Sequence, residues 1–182
     1  MEYVQPIRDI EKIEEVKSIL REHGTRDLLL FCLGINTALR VSDLLKFKVG
    51  DVRNKSHIEL KEQKTGKLKR FLLKGNLLAL LDDYIKNKAD NDYLFPSRNG
   101  HNKPLSRVMA YNIINNACRK AGIQERIGMH TLRRTFAYHH YQMYKDVAML
   151  QYLLNHSSPS ITLRYIGITQ DDIEETLLNF EL

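Results

Sequence analysis

No stretch of the 182 residues is apolar for long enough to span a bilayer, and no signal-peptide pattern is present. The expectation is a soluble, cytoplasmic protein with no membrane partner. Cysteine is scarce. Cys32 lies in an apolar run and Cys118 in a helical pattern, with neither pairing nor metal-ligand spacing between them. That excludes a disulfide framework and predicts two buried, reduced thiols. Internal repeats, low-complexity tracts and interdomain linkers are also missing, so residues 1–182 read as a single domain with one core. Positive charge is missing from the C-terminal end. Residues 169–182 hold five acids and no Lys or Arg, which leaves a net +11 on residues 1–168. A basic body suggests a polyanion partner.

What is present reads as helices interrupted once. Asp9 can cap a helix from Ile10 to about His23, with Ile10, Ile13, Val16 and Leu20 at helical spacing and Gly24 as the stop. Thr25 and Asp27 open a second helix through Leu28-Leu29-Leu30-Phe31-Cys32-Leu33 to about Ala38, apolar nearly all round and so a central core helix. Ser42 is expected to cap a short helix, Asp43 to Phe47. The pattern then changes. His57–Lys61 and Leu68–Leu73 read as two antiparallel strands around Lys64-Thr65-Gly66-Lys67, a turn in which Gly66 can take positive φ.

Further helices are expected over Asn76–Lys88, from the Ser106 cap to about Ala121, over Thr131–Tyr144, from the Asp146 cap over Val147–Leu154, and over Pro159–Tyr165. Thr169 and Asp172 form a capping box for a last helix ending near Phe180. The class is mainly α with a small antiparallel β-sheet.

The chemistry-bearing residues gather late in the chain. His130-Thr131-Leu132-Arg133 is followed 23 residues on by His156, and nine beyond that by Tyr165. Two imidazoles and a guanidinium around a phenol are an attractive set. Arg binds phosphate oxygens as a planar fork, His moves protons near neutral pH, and Tyr can attack as a covalent nucleophile. Upstream, residues 40–74 carry eleven Lys or Arg against four acids. A charged hairpin is usually a solvated edge, but this one is unusually basic.

These residues resemble the signature of the tyrosine recombinases, the lambda-type integrases. Their catalytic domains carry H-x-L-R, then L-G-H-S-S, then a Tyr nine residues after that His. Gly34-Ile35-Asn36-Thr37-Ala38-Leu39-Arg40-Val41-Ser42-Asp43 is similar to the family's T-G-x-R-x-x-E/D motif, and the likeness covers essentially the whole chain. The resemblance implies the recombinase catalytic-domain fold of DNA breaking-rejoining enzymes. It also implies site-specific recombination of double-stranded DNA through a 3′-phosphotyrosyl intermediate, with neither metal nor ATP as cofactor.

It further implies roles. Arg40 and Arg133 would clamp the phosphate, with Asp43 orienting Arg40. His130 would handle the tyrosine proton, His156 would bond a non-bridging oxygen, and Tyr165 would attack. Lys64 would protonate the leaving 5′ oxygen, with Lys67 as the competing choice. Lys67, Lys69, Arg70 and Arg134 are the further candidates for DNA contact. Tyr138 and Tyr152, the alternative nucleophiles, lie at helical positions suited to burial, and His139, His140, Met143 and Met149 read as packing.

Two departures from the pattern stand out. Asn155 replaces the usual Gly before the second His, at a position expected to end a helix in the left-handed conformation, where Asn is the next choice. The N-terminal core-binding and arm-binding domains usual in relatives are not part of the expected 1–182 catalytic domain. Assembly as a tetramer on two synapsed sites is implied, with a monomer as the free state. Ile173, Leu177 and Phe180 form an apolar stripe expected to dock within its own chain and to exchange between protomers on DNA. A type IB topoisomerase and a noncatalytic DNA-binding accessory protein on the same fold are the rival readings.

Overall fold

A computed structural model describes residues 4–61, 66 and 68–168, together with 174, 177, 178 and 180. Lys64, Lys67 and the Thr169/Asp172 capping box lie outside the described residues. The elements run α1 (Ile10–His23), α2 (Thr25–Thr37), α3 (Val41–Leu44), β1 (His57–Lys61), β2 (Leu68–Leu72), α4 (Gly75–Ile85), α5 (Arg107–Lys120), α6 (Thr131–Tyr144), α7 (Val147–Leu154) and α8 (Pro159–Ile166). The chain falls into two compact units, Met1–Phe136 and Ala137–Leu182.

The first unit is built on α2. Leu29, Leu30, Phe31 and Leu33 are fully buried, in one core with Val16 and Leu20 of α1, Leu81 and Ile85 of α4, and Ile114 and Cys118 of α5. Burial of each such Leu or Phe is worth about 1.5–3 kcal/mol, which is why the nearly all-apolar helix sits in the middle. Asp9 caps α1 by accepting from the Glu11 N–H, and Ser106 caps α5 by accepting from Met109 N–H. The expected Ser42 cap is not used. Arg40 occupies the N-cap position, in extended conformation, and α3 begins at Val41.

β1 and β2 pair antiparallel with His57 opposite Leu72 and Lys61 opposite Leu68, and Gly66 in the turn has φ 67°. Alternation along β2 decides which basic residues face out. Arg70 is exposed and forms a cross-strand ion pair with Glu59 at 3.4 Å. Lys69 shares the inner face with Phe71, is only 8% exposed, and holds its ammonium 5.8 Å from the Phe71 ring centroid. Lys69, one of the residues expected to contact DNA, thus lies on the buried face of the strand and not on the exposed one.

In the second unit, α7 and α8 bury Leu150, Leu154, Thr162 and Ile166. Asp146 caps α7 by accepting from Met149 N–H. Asn155 ends it with φ 51° and ψ 42°, the left-handed conformation expected from its place in the motif. The expected burial of Tyr152, Met143 and Met149 is corrected: they are 77%, 74% and 50% exposed. A two-turn helix such as α7 buries only one narrow stripe, and that stripe falls on Leu150 and Leu154. Leu177 and Phe180 of the tail are 63% and 65% exposed, so docking within the chain is not seen for these two residues.

Candidate active site

The first unit brings Arg40 and His130 to one cavity of about 350 Å³, lined also by Val41, Ser42, Asp43, Met129 and Arg107. Local chain direction places Arg40 there. α2 ends at Thr37, Ala38 takes the left-handed conformation, and the chain turns extended at Arg40 before α3. Arg40 Nη1 stands 4.0 Å from Asp43 Oδ2, with the two side chains 17% and 3% exposed. The two residues thus form an ion pair at its outer distance limit, and both line the cavity.

Arg133 comes from the start of α6 and is 3% exposed. Its Nη1 donates to the main-chain carbonyl of Ala38. Thr131 anchors the same turn, its hydroxyl accepting from Gly128 N–H at 2.9 Å. Exposed His130 precedes it, and its carbonyl accepts from the N–H of half-buried Arg134 at 2.8 Å. Arg107 was missed by sequence reasoning. Its one local signal is the Ser106 cap, which puts it first in α5, and nothing in that signal tells which cavity the side chain lines.

The second unit brings His156 and Tyr165 together. Their rings meet edge to face with centroids 4.9 Å apart and planes at 74°. Left-handed Asn155 turns the chain after α7, and Ser158 caps α8 by accepting from Ile161 N–H at 3.4 Å. Tyr165 then falls in the last turn of α8. His156 Nδ1 lies 3.1 Å from Thr162 Oγ1, and that hydroxyl donates to the Ser158 carbonyl at 3.4 Å. The Tyr165 hydroxyl oxygen is shielded from solvent.

The remaining ionisable groups have ordinary structural settings. Burial pushes the Cys118 thiol up to about 12 and raises that of half-buried Cys32, so neither is a ready thiolate. Burial also lowers the His140 pKa, against an opposing pull from Asp146. Among the described residues, no helix is long and apolar enough to cross a membrane.

The model of the phage integrase family matches residues 8–171. The chain is 51% identical over 171 residues to the probable integrase/recombinase YoeC of Bacillus subtilis, covering 94% of this chain and 93% of that one. It is 30% identical over 170 residues to tyrosine recombinase XerA of Pyrococcus furiosus, covering 92% of this chain and 59% of that one. Among solved structures, XerA recombinase superposes with a TM-score of 0.75 at 23% identity, covering 98% of this chain and 66% of that one. A lambda integrase dimer bound to a COC′ core site gives 0.72 at 18% identity, covering 93% of this chain and 62% of that one. The last two likenesses concern the fold alone. With a family model matched over nine-tenths of its residues, this chain belongs to the phage integrase family.

Proposed function

We propose that the chain is a site-specific DNA recombinase that breaks and rejoins strands through a 3′-phosphotyrosyl bond. The observation that carries the reading is the His156–Tyr165 ring contact, which sets a phenol shielded from water against an imidazole. Its relatives support the same reading, since they carry the names integrase and tyrosine recombinase. Neighbouring folds have been solved on DNA, as a pre-cleavage complex of XerH with difH and as the lambda integrase dimer.

Three chemical needs assign the residues. Negative charge grows on the non-bridging oxygens, and preorganised guanidinium donors stabilise it without reorganisation. Arg40 and Arg133 supply these. The attacking phenol loses a proton, which His130 takes and later returns. The leaving sugar 5′-oxygen gains a proton, for which Lys64 is the donor. Tyr165 Oη forms the bond to phosphorus as the bond to the 5′-oxygen breaks, and His156 donates to a non-bridging oxygen. A 5′-hydroxyl from the partner strand then attacks phosphorus and gives its proton to the deprotonated Lys64, as the bond to Tyr165 Oη breaks and the phenolate regains its proton from His130. The phosphotyrosyl linkage conserves the bond, so strand joining needs no ATP.

Arg70 and Arg134 contribute to the DNA surface, and Lys69 is left out of it because it faces inward. Exchange between two duplexes calls for four protomers on two synapsed sites, acting in the cytoplasm on the nucleoid. Incubation with a nicked suicide duplex tests the reading. A covalent, protease-sensitive DNA adduct is the expected product. Its absence would turn the reading toward a noncatalytic binding protein, and plasmid relaxation without recombinant products toward a topoisomerase.

A further inference from the structure

The residue that ends α2 bears on the reaction just proposed. Ala38 has φ 54° and ψ 12° and is fully buried. This is the left-handed region, disfavoured for any residue with a Cβ. Glycine takes it without strain, and glycine stands at this position in the motif that Thr37-Ala38-Leu39-Arg40 resembles. An alanine held there is imposed by its surroundings, and such outliers gather at functional sites.

The surroundings are visible. Gly34 lies one helical turn before Ala38, and a Cβ on it would stand 2.4 Å from Leu132 Cδ1. The helix backbone thus comes into close contact with the residue beside Arg133. On the other side of the turn, the Thr37 hydroxyl donates to the Leu33 carbonyl at 2.7 Å and locks the last turn of α2. Between these two restraints the left-handed turn swings the Ala38 carbonyl toward α6, where it accepts from Arg133 Nη1. Two residues later the same turn delivers Arg40 to its cavity.

The geometry points to Ala38 as a positioning residue, whose left-handed backbone fixes the Arg133 guanidinium through its main-chain carbonyl and sets it in register with Arg40. The acting atom is the carbonyl oxygen, not the methyl group. This role rests on the recombinase reading, because it is defined by what Arg133 does to a phosphate.

The test replaces the amide after Ala38 by an ester. The α-hydroxy analogue of leucine at position 39 of the full chain leaves every side chain in place and makes the Ala38 carbonyl a weaker acceptor. The readouts are the single-turnover rate of adduct formation on the suicide duplex, duplex Kd and Tm. The ester is expected to slow adduct formation by about tenfold, the effect of weakening one hydrogen bond to a charged group. Kd and Tm stay near those of the parent chain. In an Arg133→Lys background the ester adds less than about twofold, since coupled changes do not add. Ala38→Gly, which keeps the carbonyl and relieves the backbone, retains the parent rate.

An unchanged rate in the ester overturns the role. So does an equal loss in the Arg133→Lys background, or a rise in Kd and a fall in Tm proportional to the fall in rate. A loss in Ala38→Gly as large as that of the ester would move the effect to the methyl group and overturn it too. No adduct from the unmodified chain would overturn the recombinase reading itself, and this role with it.

Discussion

His156 and Tyr165 meet edge to face, with ring centroids 4.9 Å apart. The contact depends on α8 being a short, well-capped helix that puts its last turn beside the residue following Asn155. An imidazole edge against the phenol keeps the ring in one orientation, so the hydroxyl oxygen is held rather than free to swing. Tyr165→Phe keeps that packing and removes only the oxygen. DNA binding is expected to be unchanged and the covalent adduct absent. An adduct that survives in Tyr165→Phe would send the search to Tyr138 or Tyr152.

Arg40→Ala and Arg133→Ala are each expected to lower the single-turnover cleavage rate by about 10²–10³, the usual effect of removing one preorganised oxyanion donor. The two differ in stability. Arg133 is 3% exposed and bonded to a buried carbonyl, whereas the Arg40 side chain is 17% exposed and borders a cavity. Arg133→Ala should therefore lower Tm more. Cleavage near the parent rate in either variant would refute the clamp.

Lys64→Ala is expected to cleave slowly on ordinary DNA and to recover on DNA whose 5′ bridging oxygen is sulfur. A thiolate leaves without protonation, so the defect disappears only if Lys64 supplies that proton. Equal defects on both substrates would make Lys64 a binding residue, or move the acid to Lys67.

His140 links folding to pH. Burial holds its pKa below the ordinary 6.5, with Asp146 pulling the other way and the Tyr144 ring 4.7 Å away. The unfolded chain then takes up this proton more readily, so the neutral His140 contribution is intact above about pH 6.5 and is lost as pH falls below it. His140→Gln should flatten the fall in Tm between pH 7 and pH 5. An identical slope in the variant would remove His140 from the acid sensitivity.

Leu177→Asp tests the tail. Leu177 and Phe180 are exposed, so the substitution should leave folding and single-site cleavage close to those of the parent. If the stripe docks on a neighbouring protomer, strand exchange between two sites is lost much more than cleavage of one. Equal losses of both would return the tail to an ordinary structural role.

Much of this molecule is written locally. Asp9, Ser106 and Asp146 cap their helices because a side-chain oxygen needs only the N–H two or three residues on. The apolar circumference of α2 marks a central helix before any partner is known, and Asn155 signals a left-handed stop by its own chemistry. The candidate residues stand out in the sequence in two short groups, His130 with Arg133 three residues on and His156 with Tyr165 nine residues on. What remained hidden depends on residues far apart in the chain. Lys69 reads as one more surface cation until strand register turns it inward beside Phe71. Tyr152 reads as buried until the narrow stripe of α7 falls elsewhere. The bond from Arg133 to the Ala38 carbonyl spans 95 residues, and beside it Leu132 packs on α2 at Gly34, where a Cβ would leave no room. Caps and periodicity act within a turn or two of backbone, whereas the direction of a guanidinium is settled by which surfaces pack, and only the folded chain decides that.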